Sequence, residues 1–415
     1  MDSVLGLPLK IGERLAPNRF FVHAFECCNA DAEGNPTEDT YRRYHDLMEG
    51  EFGIVCLEAA TVTYSSRSKL RQLSVMPRNQ KALEKFFAEM KKINKDCLFI
   101  VQLTHAGELS NPVFSHRVTP KPIYGWGGDV IDEEYIEETM KQFEIAAKIV
   151  HDAGADGIDF KICHGYLFSQ LLRPYNDRNW KYGGSWENRS RAAFETFERI
   201  SRAVNDPRFI MSSKVSLWEG FPGGQGSAGP DSSVMDLTES LDLIKGLEDR
   251  GLNLLIQSAG GAQNLQSSQP IREAPGWVWL HHYFAKECKR VLKPKTAVVG
   301  SGYSIFGKGR SNLLGLPPEK RTFEYWAEKN VREGNVDAVA LGRQSMADPL
   351  FAKKYLNGDM DKIHWCTTCE NCEQLLIYNQ KVNCCVYEKG VAERVKKLAQ
   401  FKDKDGLFNG TTMLD

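Results

Sequence analysis

The sequence predicts an α/β fold, a (β/α)8 TIM barrel followed by a small cysteine-rich segment. Three observations support this prediction. Short apolar runs alternate with amphipathic stretches from about residue 50 to about residue 355. The runs are apolar at nearly every position, which is typical of a parallel sheet buried on both faces. About eight such runs occur, which is the strand number of a (β/α)8 barrel.

The individual elements follow from hydrophobic spacing. Runs typical of buried strands lie at 52–62, 97–103, 157–162, 209–216, 252–258, 296–302 and 336–343. Apolar residues three and four positions apart predict helices between them, at 80–93, 133–154, 190–204 and 233–251. The alternation stops after about residue 355. We therefore expect two parts, a barrel over residues 1–355 and a C-terminal segment with a tail over residues 356–415.

An open, doubly wound sheet is the alternative fold. It would usually carry a G-x-G-x-x-G sequence between a strand and a helix. The stretch 300–307 follows a strand, but Ile305 stands where the third glycine belongs. The stretch 224–229 has the glycine spacing but runs into Pro230 instead of a helix. Neither stretch supports the alternative.

The composition excludes several classes of protein. The chain has 415 residues, 42% hydrophobic and 26% charged, which are ordinary values for a globular protein. Its formal net charge of −1 gives no overall attraction to nucleic acid or membrane. No apolar run approaches the roughly 18 residues of a membrane span, and the N-terminus lacks the apolar core of a signal peptide. We expect a cytoplasmic protein, in which clustered cysteines bind metal or react more often than they form disulfides.

The strongest chemical signal follows the strand predicted at 157–162. Lys161, Cys163, His164 and Tyr166 lie at its C-terminal end. In a (β/α)8 barrel, this is the end that carries the active site. A single histidine here is more often structural. A lysine, a histidine and a tyrosine within six positions favour a ligand site instead.

The stretch 164–191 closely resembles a signature of the old yellow enzyme / NADH:flavin oxidoreductase superfamily. It reads HGYL followed by QLLRPYNDRNWKYGGSWENRSR. Further landmarks of the superfamily occur in the expected order, NRFF at 18–21, VQLTHAG at 101–107 and DAVALGRQSMADP at 337–349. The resemblance covers about residues 5–390. It implies an FMN-dependent (β/α)8 oxidoreductase, in a superfamily that includes ene-reductases, 2,4-dienoyl-CoA reductase and trimethylamine dehydrogenase.

The resemblance also implies a set of FMN-binding residues at the strand ends. Gln102 would bind the pyrimidine edge of the flavin, where an amide can both donate and accept. Lys214 stands where the superfamily usually has an arginine and would place a cation beside the reduced flavin. Taken alone, the glycines of the set are ordinary turn residues, but in this context they would admit the FMN phosphate. The full set is Ala24, Phe25, Glu26, Ala60, Gln102, Lys214, Gly300, Ser301, Gly302, Gly342 and Arg343.

Three catalytic residues are implied in the same way. Tyr166 corresponds to the proton donor of ene-reductases, and His164 to a residue that holds the electron-withdrawing group of the substrate. Lys161 stands where relatives have a histidine or a tyrosine, and a lysine would bind an anionic group or act as a base. An ion pair from Lys161 to Glu26 or Asp159 is the structural alternative. Glu26 itself falls where many relatives have a cysteine or threonine that tunes the flavin.

Five cysteines lie close together in CTTCENCEQLLIYNQKVNCC, in the C-terminal segment. Their spacing alone allows a four-thiolate zinc site or an iron–sulfur cluster. The cluster-bearing branches of the superfamily have C-x2-C-x2-C-x12-C at this place. The resemblance therefore implies a [4Fe–4S] cluster on Cys366, Cys369, Cys372 and Cys385, with Cys384 as a bystander.

We expect an ene-reductase that transfers hydride from reduced FMN to an activated C=C bond of a small substrate, with an anionic substrate suited to Lys161. The first alternative is an amine, C–N or C–H dehydrogenase that passes electrons out through the cluster. The second is an electron-transfer subunit whose barrel only houses FMN. No G-x-G-x-x-G follows the cysteines. Electrons are therefore expected from NAD(P)H at FMN or from a separate electron-transfer protein, and formation of a homo-oligomer stays open.

Overall fold

The computed structural model of this chain describes residues 3–123, 127–261, 264–307 and 315–405. The side chains at 265, 266 and 399–405 are not included in this description. The end of the predicted tail, residues 406–415, lies outside the described residues.

Eight parallel strands close into a barrel, which confirms the predicted fold. Each strand pairs with the next one in the chain, and the last pairs with the first, with Val339 opposite Phe20. The sequence pattern missed the first strand because it has only three residues. The strands are β1 Phe20–Val22, β2 Ile54–Thr61, β3 Leu98–Thr104, β4 Gly157–Ile162, β5 Ile210–Ser216, β6 Leu254–Ser258, β7 Ala297–Gly300 and β8 Ala338–Leu341.

Helices cover the outside of the barrel. The helix predicted at 80–93 has those bounds in the structure, and the other three predicted helices differ by a few residues at one or both ends. None of the helices in the described part of the chain is both long and apolar enough to span a membrane. The principal helices are α1 Glu38–Glu49, α2 Gln80–Ile93, α3 Glu133–Asp152, α4 Trp186–Val204, α5 Thr238–Asp249, α6 Trp277–Val291, α7 Phe323–Arg332 and α8 Phe351–Leu356.

Successive strand residues point to opposite faces, which divides the apolar core into two clusters. One cluster lies between the strands and the helices, and the other fills the barrel interior. A hairpin of Leu9–Ile11 and Arg14–Ala16 packs into the interior cluster and closes the N-terminal end of the barrel. Toward the C-terminal end, the strand residues of the interior become polar, and they include Gln102, Asp159, Lys161, Lys214 and Ser258.

The cysteine-rich segment packs on the barrel beside the loop that follows β1. It contains the helices α9 Asn371–Ile377 and α10 Val391–Asp405. A third apolar cluster joins Cys27 and Met346 of the barrel to residues of these helices. The backbone N–H of Val382 also donates to the carbonyl of Cys27 at 2.9 Å. The boundary after residue 355 stays a prediction.

Candidate active site

A cavity of about 810 Å³ opens at the C-terminal end of the barrel, and its volume is within the usual range of ligand pockets. It brings together most of the residues predicted from the sequence. Among the described residues, three predicted members do not line it, namely Ala60, Gln102 and Gly300. Those that do are Ala24, Phe25, Glu26, Lys161, His164, Tyr166, Lys214, Ser301, Gly302, Gly342 and Arg343.

Strand pairing sets Gln102 beside Asp159 of β4. Its Nε2 donates to Asp159 Oδ2 at 2.7 Å. Burial raises the pKa of Asp159 to about 6, although this hydrogen bond and the positive charges nearby act against the rise. The predicted contact between Gln102 and FMN stays a prediction.

A buried polar network forms one wall of the cavity. Tyr166 donates its hydroxyl hydrogen to Glu26 Oε1 at 2.7 Å, and Lys161 Nζ donates to the same oxygen at 3.2 Å. Ser68 Oγ lies 3.1 Å from Tyr166 Oη. The Lys161 ammonium also lies 3.3 Å from the centroid of the Tyr166 ring, in a cation–π contact. The ion pair that the sequence left as an alternative for Lys161 is therefore formed, and its partner is Glu26.

The charges in this network determine where its protons are held. Burial acts to raise the pKa of Glu26, but Lys161, Lys69 and the hydrogen bond from Tyr166 outweigh burial, and the pKa lies below its ordinary value. Burial and the Glu26 carboxylate raise the pKa of Tyr166 well above its ordinary value. At neutral pH, Glu26 is therefore ionised while Tyr166 keeps its proton.

His164 is held by contacts on both sides of its backbone. Its φ of 60° lies in the left-handed region, and a bridge to Gly261 and a hydrogen bond from its N–H to Ser216 Oγ at 3.2 Å maintain this conformation. Its Nε2 lies 2.8 Å from Ser258 Oγ. Burial and the charge of Lys214 lower the pKa of His164 well below its ordinary value. The imidazole is therefore neutral, with one nitrogen as donor and the other as acceptor.

Residues at the ends of β5, β7 and β8 fit FMN. Arg343 Nη1 is buried without a hydrogen-bond partner in the described chain, and this suits a phosphate. Gly302 lines the cavity with a φ of 93°, and a Cβ there would lie 3.2 Å from Val278 Cγ2, so this turn requires glycine. Lys214 is buried and forms no hydrogen bond or ion pair with the described side chains. Its cation is available to the flavin.

Sequence reasoning missed several residues of the cavity. Ser68 and Lys69 line it from the loop after β2, and Glu373 and Leu376 line it from α9. Polar residues directly after a buried strand were the available signal for Ser68 and Lys69. No local signal marks α9, because its contact with the cavity depends on how the C-terminal segment packs.

The cysteine residues lie close together at one end of α9. Cys369 Sγ is 3.8 Å from Cys385 Sγ, and Asn371 Nδ2 lies 3.0 Å from the same Cys385 sulfur. Burial raises the pKa of Cys372 to about 12, and the nearby Cys366 and Cys369 thiols contribute to the rise. Cysteines that the sequence separates by up to nineteen positions therefore share one site.

Cys384 belongs to the same group. Burial raises the pKa of its thiol to about 11, and the neighbouring Cys366 and Cys385 act in the same direction, against hydrogen bonds from the backbone of Val386 and Tyr387. The structure therefore brings Cys384, expected as a bystander, to the same site as Cys385.

A closed parallel barrel whose one cavity is lined by this polar network and by unpaired buried cations defines a class of protein, the FMN-dependent barrel oxidoreductases. Comparison with known sequences gives the family. The chain belongs to the NADH:flavin oxidoreductase / NADH oxidase family, which matches residues 5–249. Membership confirms the resemblance to old yellow enzymes and the expected FMN-dependent oxidoreductase.

Individual relatives are distant. The chain is 28% identical over 370 residues to an NADH oxidase of Thermoanaerobacter brockii, covering 87% of this chain and 52% of that protein. It is 24% identical over 369 residues to an NADPH dehydrogenase of Bacillus subtilis strain 168, covering 87% of this chain and 97% of that protein. A solved 2-naphthoyl-CoA reductase complex superimposes with a TM-score of 0.76 at 22% identity, covering 94% of this chain and 58% of that one. The chain thus spans about half the length of the Thermoanaerobacter relative.

Proposed function

We propose that this protein is an ene-reductase that reduces an activated C=C bond of a small substrate. The observation that carries the proposal is the buried Tyr166 hydroxyl on the cavity wall, 2.7 Å from the Glu26 carboxylate. Reduced FMN, when bound, would supply the hydride. An alkene that accepts hydride at one carbon needs a proton at the neighbouring carbon. Tyr166 Oη holds a proton at neutral pH and faces the space where an alkene would bind.

Lys161 and Ser68 would stabilise Tyr166 after it has given up this proton. The phenolate charge would lie beside the Lys161 ammonium, which already contacts the tyrosine ring. The Ser68 hydroxyl, 3.1 Å from Tyr166 Oη, could turn to donate to the phenolate. Lys161 would therefore act on Tyr166 and Glu26 instead of binding the substrate directly.

His164 would polarise the electron-withdrawing group of the substrate. When Ser258 donates its hydroxyl hydrogen to His164 Nε2, the neutral imidazole carries its hydrogen on Nδ1. That N–H could donate to a substrate carbonyl oxygen and stabilise the negative charge that develops there. Ser258 would thus select the tautomer that catalysis needs.

FMN would be held by residues at the C-terminal ends of several strands. Arg343 and the backbone of Gly300, Ser301, Gly302 and Gly342 would bind its phosphate. Lys214 and Gln102 would contact the flavin ring, and Ala24, Phe25 and Ala60 would line its site.

We further propose that Cys366, Cys369, Cys372 and Cys385 hold a [4Fe–4S] cluster, which would supply one-electron transfer. A tetrahedral zinc site on the same four thiolates is the alternative. The order C-x2-C-x2-C-x12-C along the chain, which matches the cluster-bearing branches of the superfamily, supports the cluster. Iron analysis with a visible spectrum tests the choice.

Anaerobic turnover tests the main proposal. The FMN-loaded protein is expected to reduce activated alkenes with NAD(P)H or reduced viologen. Replacement of Tyr166 by Phe should slow this reduction by roughly 10²–10⁴-fold while FMN content stays unchanged. Oxidation of amines with an artificial acceptor, in the absence of alkene reduction, would support the dehydrogenase alternative. An FMN-containing protein that catalyses neither reaction would be an electron-transfer subunit.

A further inference from the structure

We propose that Lys69 binds a carboxylate, so that the substrate is a carbonyl-activated alkene that also carries a separate acidic group. This inference rests on the proposed alkene reduction and adds the chemical class of the substrate. Lys69 lines the cavity directly next to Ser68, which contacts Tyr166. An anion held by Lys69 would therefore lie on the same side of the cavity as the group that holds the proton.

The charges around the cavity leave Lys69 open to a ligand. Lys161 is neutralised by Glu26, and Lys214 and Arg343 are the cations proposed for FMN. Lys69 is half-buried and forms no ion pair or hydrogen bond with the part of the chain that the structure describes. The seven charged side chains in the lining are Lys69, Arg117, Lys161, Lys214, Arg343, Glu26 and Glu373.

The acidic neighbours of Lys69 limit the charge of its ligand. Lys69 lies close enough to the carboxylates of Glu26 and Glu373 to interact with both, and both line the cavity. These carboxylates would repel a doubly charged phosphate more strongly than a singly charged carboxylate. The site therefore suits a monoanion.

The uncharged lining indicates the rest of the molecule. Apolar side chains from the loop after β3 and from α9 border the cavity, and two of them, Val113 and Ile377, are 55% and 44% exposed. Burial of such a surface against a ligand is favourable only when the ligand is apolar too. His164 and Lys69 then give two polar anchors on one apolar substrate, the first for the activating carbonyl and the second for the carboxylate.

Binding to the oxidised, FMN-loaded protein tests this inference without any turnover. The probes are two acid and methyl ester pairs, (E)-4-oxo-4-phenylbut-2-enoic acid and 4-(4-carboxyphenyl)but-3-en-2-one, measured by isothermal titration calorimetry. The wild type is expected to bind at least one acid about tenfold or more tightly than its ester, as for a hydrogen bond to a charged group. Lys69→Met should remove the preference, and Lys69→Arg should restore it because the charge returns.

Lys85→Met is the matched control, since Lys85 is an exposed lysine of α2 and its loss should leave the preference unchanged. Equal affinity of the wild type for acid and ester in both pairs would overturn the inference, as would a preference that persists in Lys69→Met. Thermal midpoint and FMN content of each variant establish that it is folded. If the preference depends on Lys69 but no alkene is reduced, the anion site stands and the proposed reaction fails.

Discussion

At the scale of single residues, Glu26 adds to burial in raising the pKa of Tyr166. The carboxylate contributes to the raised pKa of this tyrosine, because a second negative charge nearby is unfavourable. Lys161, Lys69 and the hydrogen bond from Tyr166 offset the burial of Glu26 and keep it ionised. A residue that the sequence assigned to flavin tuning thus belongs, by its contacts, to the proton-handling group.

Replacement of Glu26 by Gln is expected to lower the pKa of Tyr166. The substitution removes a negative charge beside the hydroxyl and leaves Lys161 as an uncompensated cation, and both changes favour the phenolate. The alkaline limb of the pH profile for alkene reduction should therefore move to lower pH, because the ionised tyrosine has no proton to give. The measurement is kcat between pH 6 and pH 10, with phenolate absorbance recorded in parallel. Glu89→Gln, on the outside of α2, is the control, and a profile unchanged by Glu26→Gln would contradict this assignment.

Asp159 is expected to make the stability of the protein depend on pH. Burial raises its pKa from 3.8 to about 6 in the folded state. Between these values the folded state keeps a proton that the unfolded state releases, so the free energy of unfolding falls as pH rises through this window. Asp159→Asn has no such proton. Relative to this variant, the free energy of unfolding of the wild type should fall by about 2 kcal/mol between pH 4 and pH 6.

Urea unfolding of both proteins at intervals across this range measures the difference, and a comparison of two variants cancels the titration of all other groups. Asp96→Asn is the control, since the Asp96 side chain is 69% exposed. Its free energy of unfolding should depend on pH in the same way as that of the wild type. If the free energy of unfolding depends on pH equally in Asp159→Asn and in the wild type, the pKa of Asp159 is not raised in the folded state.

At the scale of elements, a buried arginine fastens the loops that shape the cavity. Arg173 follows the short helix Leu167–Leu172, which starts directly after Tyr166. Its guanidinium donates to Glu219 Oε2 at 2.8 Å and to Glu108 Oε1 at 2.6 Å. These carboxylates belong to the loops after β5 and β3. One cation therefore ties three active-face segments together in a region from which water is excluded.

Arg173→Met is expected to destabilise the protein by about 3–5 kcal/mol, because two buried carboxylates lose their shared cation. Urea unfolding at neutral pH measures the loss. Arg202→Met, which removes an exposed ion pair to Glu198 within α4, should change stability by less than about 1 kcal/mol. Similar losses in the free energy of unfolding for the two substitutions would mean that the burial of the Arg173 ion pairs does not increase their contribution to stability.

The elements themselves follow from local sequence, whereas the contacts between them do not. Strands buried on both faces are mostly apolar, and this constraint allowed seven of the eight strands to be predicted from the sequence. Glu26 and Lys161 are 135 positions apart, and their ion pair exists only because barrel closure brings the ends of β1 and β4 to one cavity. The side-chain partner of Gln102 depends likewise on the register between β3 and β4. Composition and spacing carry no information on such pairs.

At the scale of the whole molecule, the C-terminal segment rests on a small apolar cluster and also borders the active-site cavity. Six buried residues join it to the barrel, namely Cys27, Met346, Leu375, Val382, Val391 and Leu398. The barrel has much larger apolar clusters of its own. Loss of the segment's order should therefore leave the barrel folded while it alters the cavity wall that α9 supplies.

The final prediction compares two adjacent cysteines. Cys385→Ser should lose the iron of the proposed cluster, because Cys385 Sγ is the sulfur 3.8 Å from Cys369 Sγ, whereas Cys384→Ser should retain it. Without a cluster to hold the cysteine loop, backbone amides of α9 should exchange with deuterium faster. Amides of β3 and β4 should be unchanged, because the larger clusters hold them. Iron analysis and hydrogen exchange by mass spectrometry measure both effects. Iron lost from Cys384→Ser and kept in Cys385→Ser would make Cys384 the fourth ligand, and zinc in place of iron in the wild type would exclude the cluster.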